Sequence, residues 1–129
     1  YHPKDSGAFT SMGIIFNALG DVDRAKMFYL KAIELNHQNA KPYFYLAYIC
    51  ESKGELKDAL NYYEKSIEKD ANQAEAYYNM GNVYAKLGQE AEAMASYLKT
   101  IGLDKNHLNA YINLSILSFK SREFANAIR

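Results

Sequence analysis

Three histidines and one cysteine are the residues of this chain best suited to catalysis or metal binding. His2, His37 and His107 lie far apart in the sequence, and no pair of them has the spacing of a metal-binding helix or loop. Cys50 has no second cysteine with which to share a metal or form a disulfide. We therefore predict no catalytic residue, metal or cofactor, and interpret the histidines as solvated loop residues and Cys50 as a buried packing thiol.

The glycines do not predict a phosphate-binding loop, and the asparagines do not predict a glycosylation site. Gly20, Gly54 and Gly88 stand singly, whereas a phosphate-binding loop needs clustered glycines. Residues 113–115 spell a glycosylation acceptor, but Leu114 belongs to an apolar helical pattern, so we treat the match as a coincidence. The groups that remain are asparagine amides and tyrosine rings, which suit noncovalent binding.

Composition narrows the class of partner. Lys plus Arg and Asp plus Glu both number 15, so the 129-residue chain has no net charge and no basic field for nucleic acid or an anionic membrane. No apolar run approaches the roughly 20 residues of a membrane span. The unpaired cysteine fits a reducing compartment, and we expect a cytoplasmic protein.

A small residue recurs at intervals of 34 positions. Alanine occupies positions 25, 59, 93 and 127, and a tyrosine follows four residues after the first three of them. Many columns in register predict a repeat array. The same period is kept by Gly20, Gly54 and Gly88, by Ile33, Ile67 and Ile101, and by Phe9, Tyr43, Tyr77 and Tyr111.

One period, from Ala40 to Gln73, has the pattern of two helices joined by a turn at Gly54. Apolar residues at three- and four-residue steps mark one face of each helix, and Pro42 suits a first helical turn. The pattern predicts a helical hairpin in which the Ala59 column allows close helix approach. The apolar positions are Tyr43, Leu46, Ala47 and Cys50 in the first helix, and Leu56, Ala59, Leu60, Tyr63 and Ile67 in the second.

These columns resemble those of the tetratricopeptide repeat (TPR) family. Its pattern of an aromatic residue, leucine, glycine, tyrosine, alanine and a second aromatic residue is matched by Tyr77, Met80, Gly81, Tyr84, Ala93 and Tyr97. The family's proline after the second helix is replaced by His37, Ala71 and Lys105. The resemblance implies an all-α fold, a right-handed α-solenoid of antiparallel helix hairpins that forms the TPR superhelix.

The period divides the chain into repeats of one solenoid domain. Residues 1–5 are the tail of a preceding repeat, repeats 1 to 3 span 6–39, 40–73 and 74–107, and a partial repeat 4 spans 108–129. Arg122 stands in the turn-glycine column of repeat 4, so we expect its second helix to begin shortly before Arg129. We also expect the chain to be a fragment of a longer array. Its apolar end then predicts homo-oligomers or end-to-end stacking through Leu114, Leu117, Phe119, Phe124 and Ile128.

The resemblance places a binding groove on the first helix of each repeat. In the family, the second, fifth, sixth, ninth, twelfth and thirteenth positions face the concave surface. In repeat 1 these include Thr10, Ser11, Ile14 and Asn17. Asparagines there can each offer a donor and an acceptor to an extended peptide, and tyrosines can supply apolar contact. The predicted groove residues are Lys41, Phe44, Tyr45, Tyr48, Tyr78, Asn79, Asn82, Lys86, Asn109, Ile112, Asn113 and Ile116.

Two function classes follow, with a third as an alternative. The first is a non-catalytic scaffold that binds a partner protein or an extended peptide segment in the groove. The second is the substrate-recognition segment of a larger enzyme such as an O-linked N-acetylglucosamine transferase, whose asparagine ladder is half matched by Ser11, Tyr45, Asn79 and Asn113. The third is self-assembly through the array ends. The basic clamp of repeat proteins that hold acidic chaperone C-termini is absent, because its positions hold Thr10, Ile14, Tyr45, Glu75 and Asn79.

Overall fold

The computed structural model describes residues 5–127, with side chains described as far as residue 123. Helices account for all the regular structure in this part of the chain, as the all-α prediction requires. Consecutive helices pair as three hairpins, α1 with α2, α3 with α4, and α5 with α6, and α7 follows. The helices are α1 (Ser6–Ala18), α2 (Val22–Leu35), α3 (Ala40–Ser52), α4 (Leu56–Lys69), α5 (Ala74–Lys86), α6 (Glu90–Leu103) and α7 (Leu108–Ala127).

The helices form two compact units. Unit one spans Tyr1–Ala71 and contains the hairpins α1–α2 and α3–α4, and unit two spans Asn72–Arg129 and contains α5, α6 and α7. Between the hairpins of unit one, α2 packs on α3, and in unit two α6 packs on α7. None of the described helices, including the 20-residue α7, combines the length and the apolar character needed to cross a membrane.

Each hairpin turns at a glycine with a left-handed backbone. Gly20, Gly54 and Gly88 have φ values of 85°, 79° and 77°, a conformation that glycine adopts without a Cβ clash. In the first turn the Asp21 amide donates to the Phe16 carbonyl at 2.9 Å, and the same bond closes the other two turns. This is the Schellman arrangement, which satisfies carbonyls left unpaired at a helix end. The predicted role of the glycine column as a turn is confirmed.

A tyrosine ring lies against a small residue inside the hairpins. A Cβ added to Gly13 would lie 2.5 Å from the Tyr29 ring, and one added to Gly81 would lie 2.6 Å from the Tyr97 ring. The three tyrosines of this column, Tyr29, Tyr63 and Tyr97, are almost wholly buried. The close approach of the two helices therefore depends on the small residue of the first helix as well as on the alanine column of the second.

The alanine and tyrosine of one hairpin also form the contact with the next helix in the same unit. In unit one, Ala25 and Tyr29 of α2 cluster with Leu46 and Ile49 of α3. In unit two, Ala93 and Tyr97 of α6 cluster with Ala110 and Leu117 of α7. Burial of these apolar surfaces stabilises the stacking of successive elements. Leu117, which we expected at an exposed end, is therefore part of the core because it lies under α6.

A polar chain joins the start of α3 to the first hairpin. Asn39 accepts a hydrogen bond from the Lys41 amide and so caps α3, while its Nδ2 donates to Ser6 Oγ at 3.0 Å. Ser6 Oγ donates in turn to the Ala32 carbonyl at 2.8 Å. These bonds satisfy buried polar groups at the junction between repeats 1 and 2.

The last helix differs from the sequence prediction. α7 continues through Arg122 to Ala127, so the turn and second helix predicted for repeat 4 are not formed in the described residues. Arginine at position 122 explains the difference, because it is a good helix former and resists the left-handed backbone that glycine adopts in the other repeats. The side chains of Phe124 and Ile128, expected at an apolar end, lie outside the described residues.

Candidate functional site

The predicted groove residues of unit one are two exposed side chains beside two packed aromatic rings. Lys41 is exposed, and Tyr48 is 50% exposed. Tyr45 is half-buried because its ring stacks on Tyr29 with centroids 5.4 Å apart, and Phe44 meets the Tyr45 ring edge-on at the same distance. Lys41 and Tyr48 are thus more available to a ligand than the two packed rings.

The first helix of repeat 1 offers fewer accessible groove side chains than the resemblance to the family implies. Thr10 is buried, and its hydroxyl donates to the Ser6 carbonyl at 2.8 Å within α1. Thr10 therefore supports the helix and is not available to a ligand. Ser11 and Ile14 are exposed and Asn17 is half-buried.

In unit two, a tyrosine and two asparagines of α5 and α7 are joined by hydrogen bonds, and Asn79 lies one helical turn before Asn82 on α5. Asn113 of α7 donates through Nδ2 to Asn82 Oδ1 at 3.1 Å and to the Tyr78 hydroxyl at 3.3 Å, both on α5. The Tyr97 hydroxyl of α6 also donates to Asn82 Oδ1, at 2.6 Å. We call Tyr78, Asn79, Asn82 and Asn113 the asparagine patch.

These bonds correct the prediction that each asparagine offers both a donor and an acceptor. Two donors occupy the carbonyl oxygen of Asn82, and both N–H groups of Asn113 are used within the fold. Asn82 is left with its amide nitrogen, and Asn113 with its carbonyl oxygen. Asn79 is half-buried, and its side chain makes no hydrogen bond within the described part of the chain, so it keeps both groups.

The remaining groove residues of unit two border the asparagine patch along the same two helices. Lys86 and Asn109 are exposed, and Ile112 and Ile116 are 45% and 54% exposed on α7. A ligand there would therefore meet amides, a tyrosine ring and aliphatic side chains. The assignment of these residues to a binding site stays a prediction.

His107 is not the solvated loop residue that we predicted. Its side chain is 8% exposed, its Nδ1 accepts from the Ala110 amide at 3.2 Å, and its Nε2 lies 2.6 Å from Glu75 Oε1. Because Nδ1 is an acceptor, the proton lies on Nε2 and is donated to Glu75. The ring also packs on Tyr78, with centroids 4.6 Å apart. His107 thus caps α7 and joins it to α5, next to the asparagine patch.

The capping role of His107 can be recognised from its position in the sequence. Asp5 and Asp21 likewise accept a hydrogen bond from the amide three residues later at the start of a helix. A polar residue directly before an apolar helical pattern is typical of such a cap. His37, which does not occupy this place, is exposed as predicted, and His2 lies outside the described residues.

Cys50 and Tyr29 are also buried in the fold. Cys50 is buried, and burial, with the carboxylates of Glu55 and Asp58, raises the pKa of its thiol. Burial likewise raises the pKa of Tyr29 to about 12, with a contribution from Tyr45. A thiol with a raised pKa is a poor nucleophile, so Cys50 is a packing residue. No group of three or more metal-ligating side chains lies together in the described residues.

Comparison with known structures places this arrangement of helices among repeat proteins. A crystal structure of MamA superposes with a TM-score of 0.84 at 23% identity, covering 92% of this chain and 70% of MamA. The first TPR of Spaghetti (RPAP3), bound to the HSP90 peptide SRMEEVD, gives 0.86 at 17% identity, covering 95% of this chain and 99% of that one. The N-terminal domain of stress-induced protein-1 from C. elegans gives 0.79 at 19% identity, covering 92% and 98%. Identities this low show the fold alone.

Comparison with sequence models of protein families gives a more specific assignment than the fold alone. No curated protein matches the chain significantly in sequence. Models described as tetratricopeptide repeat match residues 6–39 and 74–107, together more than half of the chain, and also residues 28–61. A model described as TPR repeat matches residues 47–88. The chain belongs to the tetratricopeptide repeat family.

Proposed function

We propose that this protein is a non-catalytic interaction scaffold that binds an extended peptide segment of a partner protein on the asparagine patch of unit two. The observation that carries the proposal is the distribution of free hydrogen-bonding groups on the patch. The Asn82 amide nitrogen, the Asn113 carbonyl oxygen and both groups of Asn79 remain available after the fold has used the others.

These available donors and acceptors match the hydrogen-bonding groups of a peptide backbone. An extended segment has unpaired N–H and C=O groups on alternate sides, and each loses water when it binds. The Asn82 amide donor and the Asn113 carbonyl acceptor can replace the lost water. Because internal hydrogen bonds already hold both side chains, binding costs them little further rotamer entropy. Tyr78 and the partly exposed Ile112 and Ile116 add apolar contact for side chains of the segment.

The charge of the patch favours a neutral or polar segment. Glu75, whose carboxylate bonds His107, is 65% exposed beside the patch and disfavours an acidic ligand. The related TPR of Spaghetti (RPAP3) is bound to SRMEEVD, but the basic clamp positions of this chain hold no lysine or arginine. We therefore expect SRMEEVD to bind this protein weakly or not at all.

Calorimetric titration tests the proposal. Peptides selected against the full chain from a random library would be titrated into the wild-type protein and the double variant Asn79→Ala and Asn113→Ala. We expect the affinity to fall by about tenfold or more, a typical loss for central interface residues. The matched control is Asn61→Ala, an exposed asparagine of α4, which should leave the affinity unchanged.

Asn79→Ala alone separates binding from folding. Asn113 holds internal hydrogen bonds, whereas Asn79 makes none in the described part of the chain, so its loss should not change helicity. Unaltered affinity in the double variant, with circular dichroism showing intact helices, would place the binding site elsewhere and refute the proposal.

A further inference from the structure

Repeat 3 lacks an aromatic ring that the other two complete repeats share. Phe28, Tyr62 and Ser96 occupy the same position of the 34-residue period, so a serine replaces the ring only in repeat 3. In repeat 1, Phe28 of α2 stacks against two rings of α1, with its centroid 6.0 Å from that of Phe9 and 5.3 Å from that of Phe16. An aromatic side chain at this position therefore fills the space between the two helices of a hairpin.

The serine leaves a pocket between α5 and α6 in unit two. Tyr77 and Tyr84 stand in α5 at the positions that the two stacked phenylalanines hold in α1. The pocket has a volume of about 330 Å³ and is lined by Tyr77, Met80 and Tyr84 of α5 and by Ala95 and Ser96 of α6, among others. Ser96 is 8% exposed, whereas Ala95 is exposed, so the pocket runs from the protein surface down to the serine. An apolar cavity of roughly 150 Å³ already holds benzene, so this pocket has room for an aromatic ring.

In repeat 2 the ring at this position lies close to a basic and an acidic residue. The Lys65 ammonium is 6.0 Å from the centroid of the Tyr62 ring. Burial raises the pKa of Tyr62, with contributions from Cys50 and then Asp58, so the Asp58 carboxylate also lies near the phenol. The chain thus shows which charges accompany a tyrosine at this place in a hairpin.

Repeat 3 keeps both charges around the pocket. Glu92 and Lys99 line it, and they stand 34 positions after Asp58 and Lys65. Both are exposed, and Lys99 Nζ lies 5.8 Å from the centroid of the Tyr77 ring. A phenol in the pocket would present its ring face to the Lys99 cation and its hydroxyl proton to the Glu92 carboxylate. The charges therefore favour a tyrosine over an aliphatic side chain.

We propose that this pocket binds a tyrosine side chain of a partner protein, which takes the place that Tyr62 holds in repeat 2. The incoming ring stacks between Tyr77 and Tyr84, its face meets Lys99, and its hydroxyl donates to Glu92. Because the rim of the pocket is exposed, the ring enters while the backbone of the partner stays at the surface. A buried aromatic side chain of this kind is a typical anchor of a protein interface.

The pocket and the asparagine patch lie on different faces of α5. Tyr77, Met80 and Tyr84 follow steps of three and four residues and form one stripe of the helix. Asn79 and Asn82 come two residues after the first two of these, and two residues turn a helix by roughly 200°. The tyrosine pocket is therefore a second site, and it does not depend on peptide binding at the asparagine patch.

A peptide with a single tyrosine tests the proposal. The acetylated and amidated pentapeptide Gly-Gly-Tyr-Gly-Gly would be titrated into the isotope-labelled full chain, and the backbone amide signals followed by NMR. We expect the signals of Ala95, Ser96 and Lys99 to shift in a saturable way, with a Kd of roughly 1 mM for one anchoring side chain. The same peptide with leucine in place of tyrosine should bind about tenfold more weakly.

Ser96→Phe is the decisive variant, because it returns to repeat 3 the ring that repeats 1 and 2 carry. We expect it to abolish saturable binding of the tyrosine peptide and to raise the midpoint of thermal unfolding, since the ring fills the pocket. Ala91→Phe adds the same side chain at an exposed position of α6 outside the pocket and should leave the peptide affinity unchanged. Circular dichroism checks that both variants keep their helices.

The hydroxyl contact has its own test. The wild-type protein should bind the tyrosine peptide more tightly than a phenylalanine peptide of the same length. Glu92→Ala should remove this preference, because the acceptor for the hydroxyl is lost. A preference for tyrosine that survives in Glu92→Ala would show that the hydroxyl is not bound in this way.

Three results would overturn the proposal as a whole. The first is an absence of saturable shifts at the pocket, and the second is equal peptide affinity in the Ser96→Phe and Ala91→Phe proteins. The third is binding of p-cresol at the pocket without binding of the pentapeptide, because the ligand would then be a small aromatic molecule and not the side chain of a partner.

Discussion

The tyrosine that follows each core alanine supports packing and a polar contact at the same time. Tyr97 lies over Gly81 with its ring, and its hydroxyl reaches Asn82 at 2.6 Å. In repeat 2 the small residue is Ala47, and the Tyr63 hydroxyl instead reaches Glu51 at 2.8 Å. A buried ring thus fixes the position of an asparagine at the candidate site, so we expect Tyr97 to couple stability to the proposed binding.

Gly81→Ala should destabilise the protein. The new Cβ would lie 2.6 Å from the Tyr97 ring, so the helices must separate or the ring must move. We expect a loss of about 1 to 3 kcal/mol in the free energy of unfolding, measured by chemical denaturation. Gly102→Ala is the control, because nothing lies within 4 Å of its Cβ and alanine favours a helix. Equal stability of the two variants would show that the Tyr97 contact is not tight.

His107→Ala should also lower stability, and His37→Ala should not. His107 caps α7 and donates to Glu75, so its removal leaves the Ala110 amide without its partner in the fold. We expect a loss of about 1 to 2 kcal/mol by thermal or denaturant unfolding, the usual range for a helix cap. The exposed His37 provides the baseline. If both variants matched the wild type, His107 would be a solvated loop residue after all.

At the scale of the helices, the hairpins could be predicted from the sequence because their determinants are local. Apolar residues at helical steps, a turn glycine and a small residue at the crossing recur every 34 positions, and each acts within its own repeat. The cap formed by His107 is local as well, but its bond to Glu75 of the preceding first helix joins residues 32 positions apart and could not be found in this way. The internal use of the Asn82 and Asn113 amides was missed for the same reason. The straight course of α7 follows from the local helix propensity of Arg122, which outweighs the 34-residue period at this position.

The alanine column provides a test of the helix crossing. Ala59 is completely buried between helices, so Ala59→Leu should overpack the hairpin α3–α4 and cost about 1 to 3 kcal/mol in stability. Ala91→Leu introduces the same side chain at an exposed site of α6 and should be nearly neutral. Differential scanning calorimetry would compare the two, and a shared midpoint would argue against close packing at Ala59.

At the scale of the whole molecule, the groups most available to a ligand lie on the surface of the described residues. The described part of the chain has a packed thiol, a capping histidine and buried tyrosines, whereas the side chains of Ile112 and Ile116 are 45% and 54% exposed. Proteins of this family have varied functions. The ligand must therefore be inferred from the binding site and not from the fold. We propose the asparagine patch as the surface that makes this identification.

The most direct measurement is an NMR titration that follows the side-chain amide signals of the asparagines while a selected peptide is added. We predict that the signals of Asn79, Asn82 and Asn113 shift together and saturate with the calorimetric affinity, while that of the exposed Asn61 stays in place. Saturable binding that leaves these three signals unmoved, and shifts residues on α2 or α4 instead, would contradict the account.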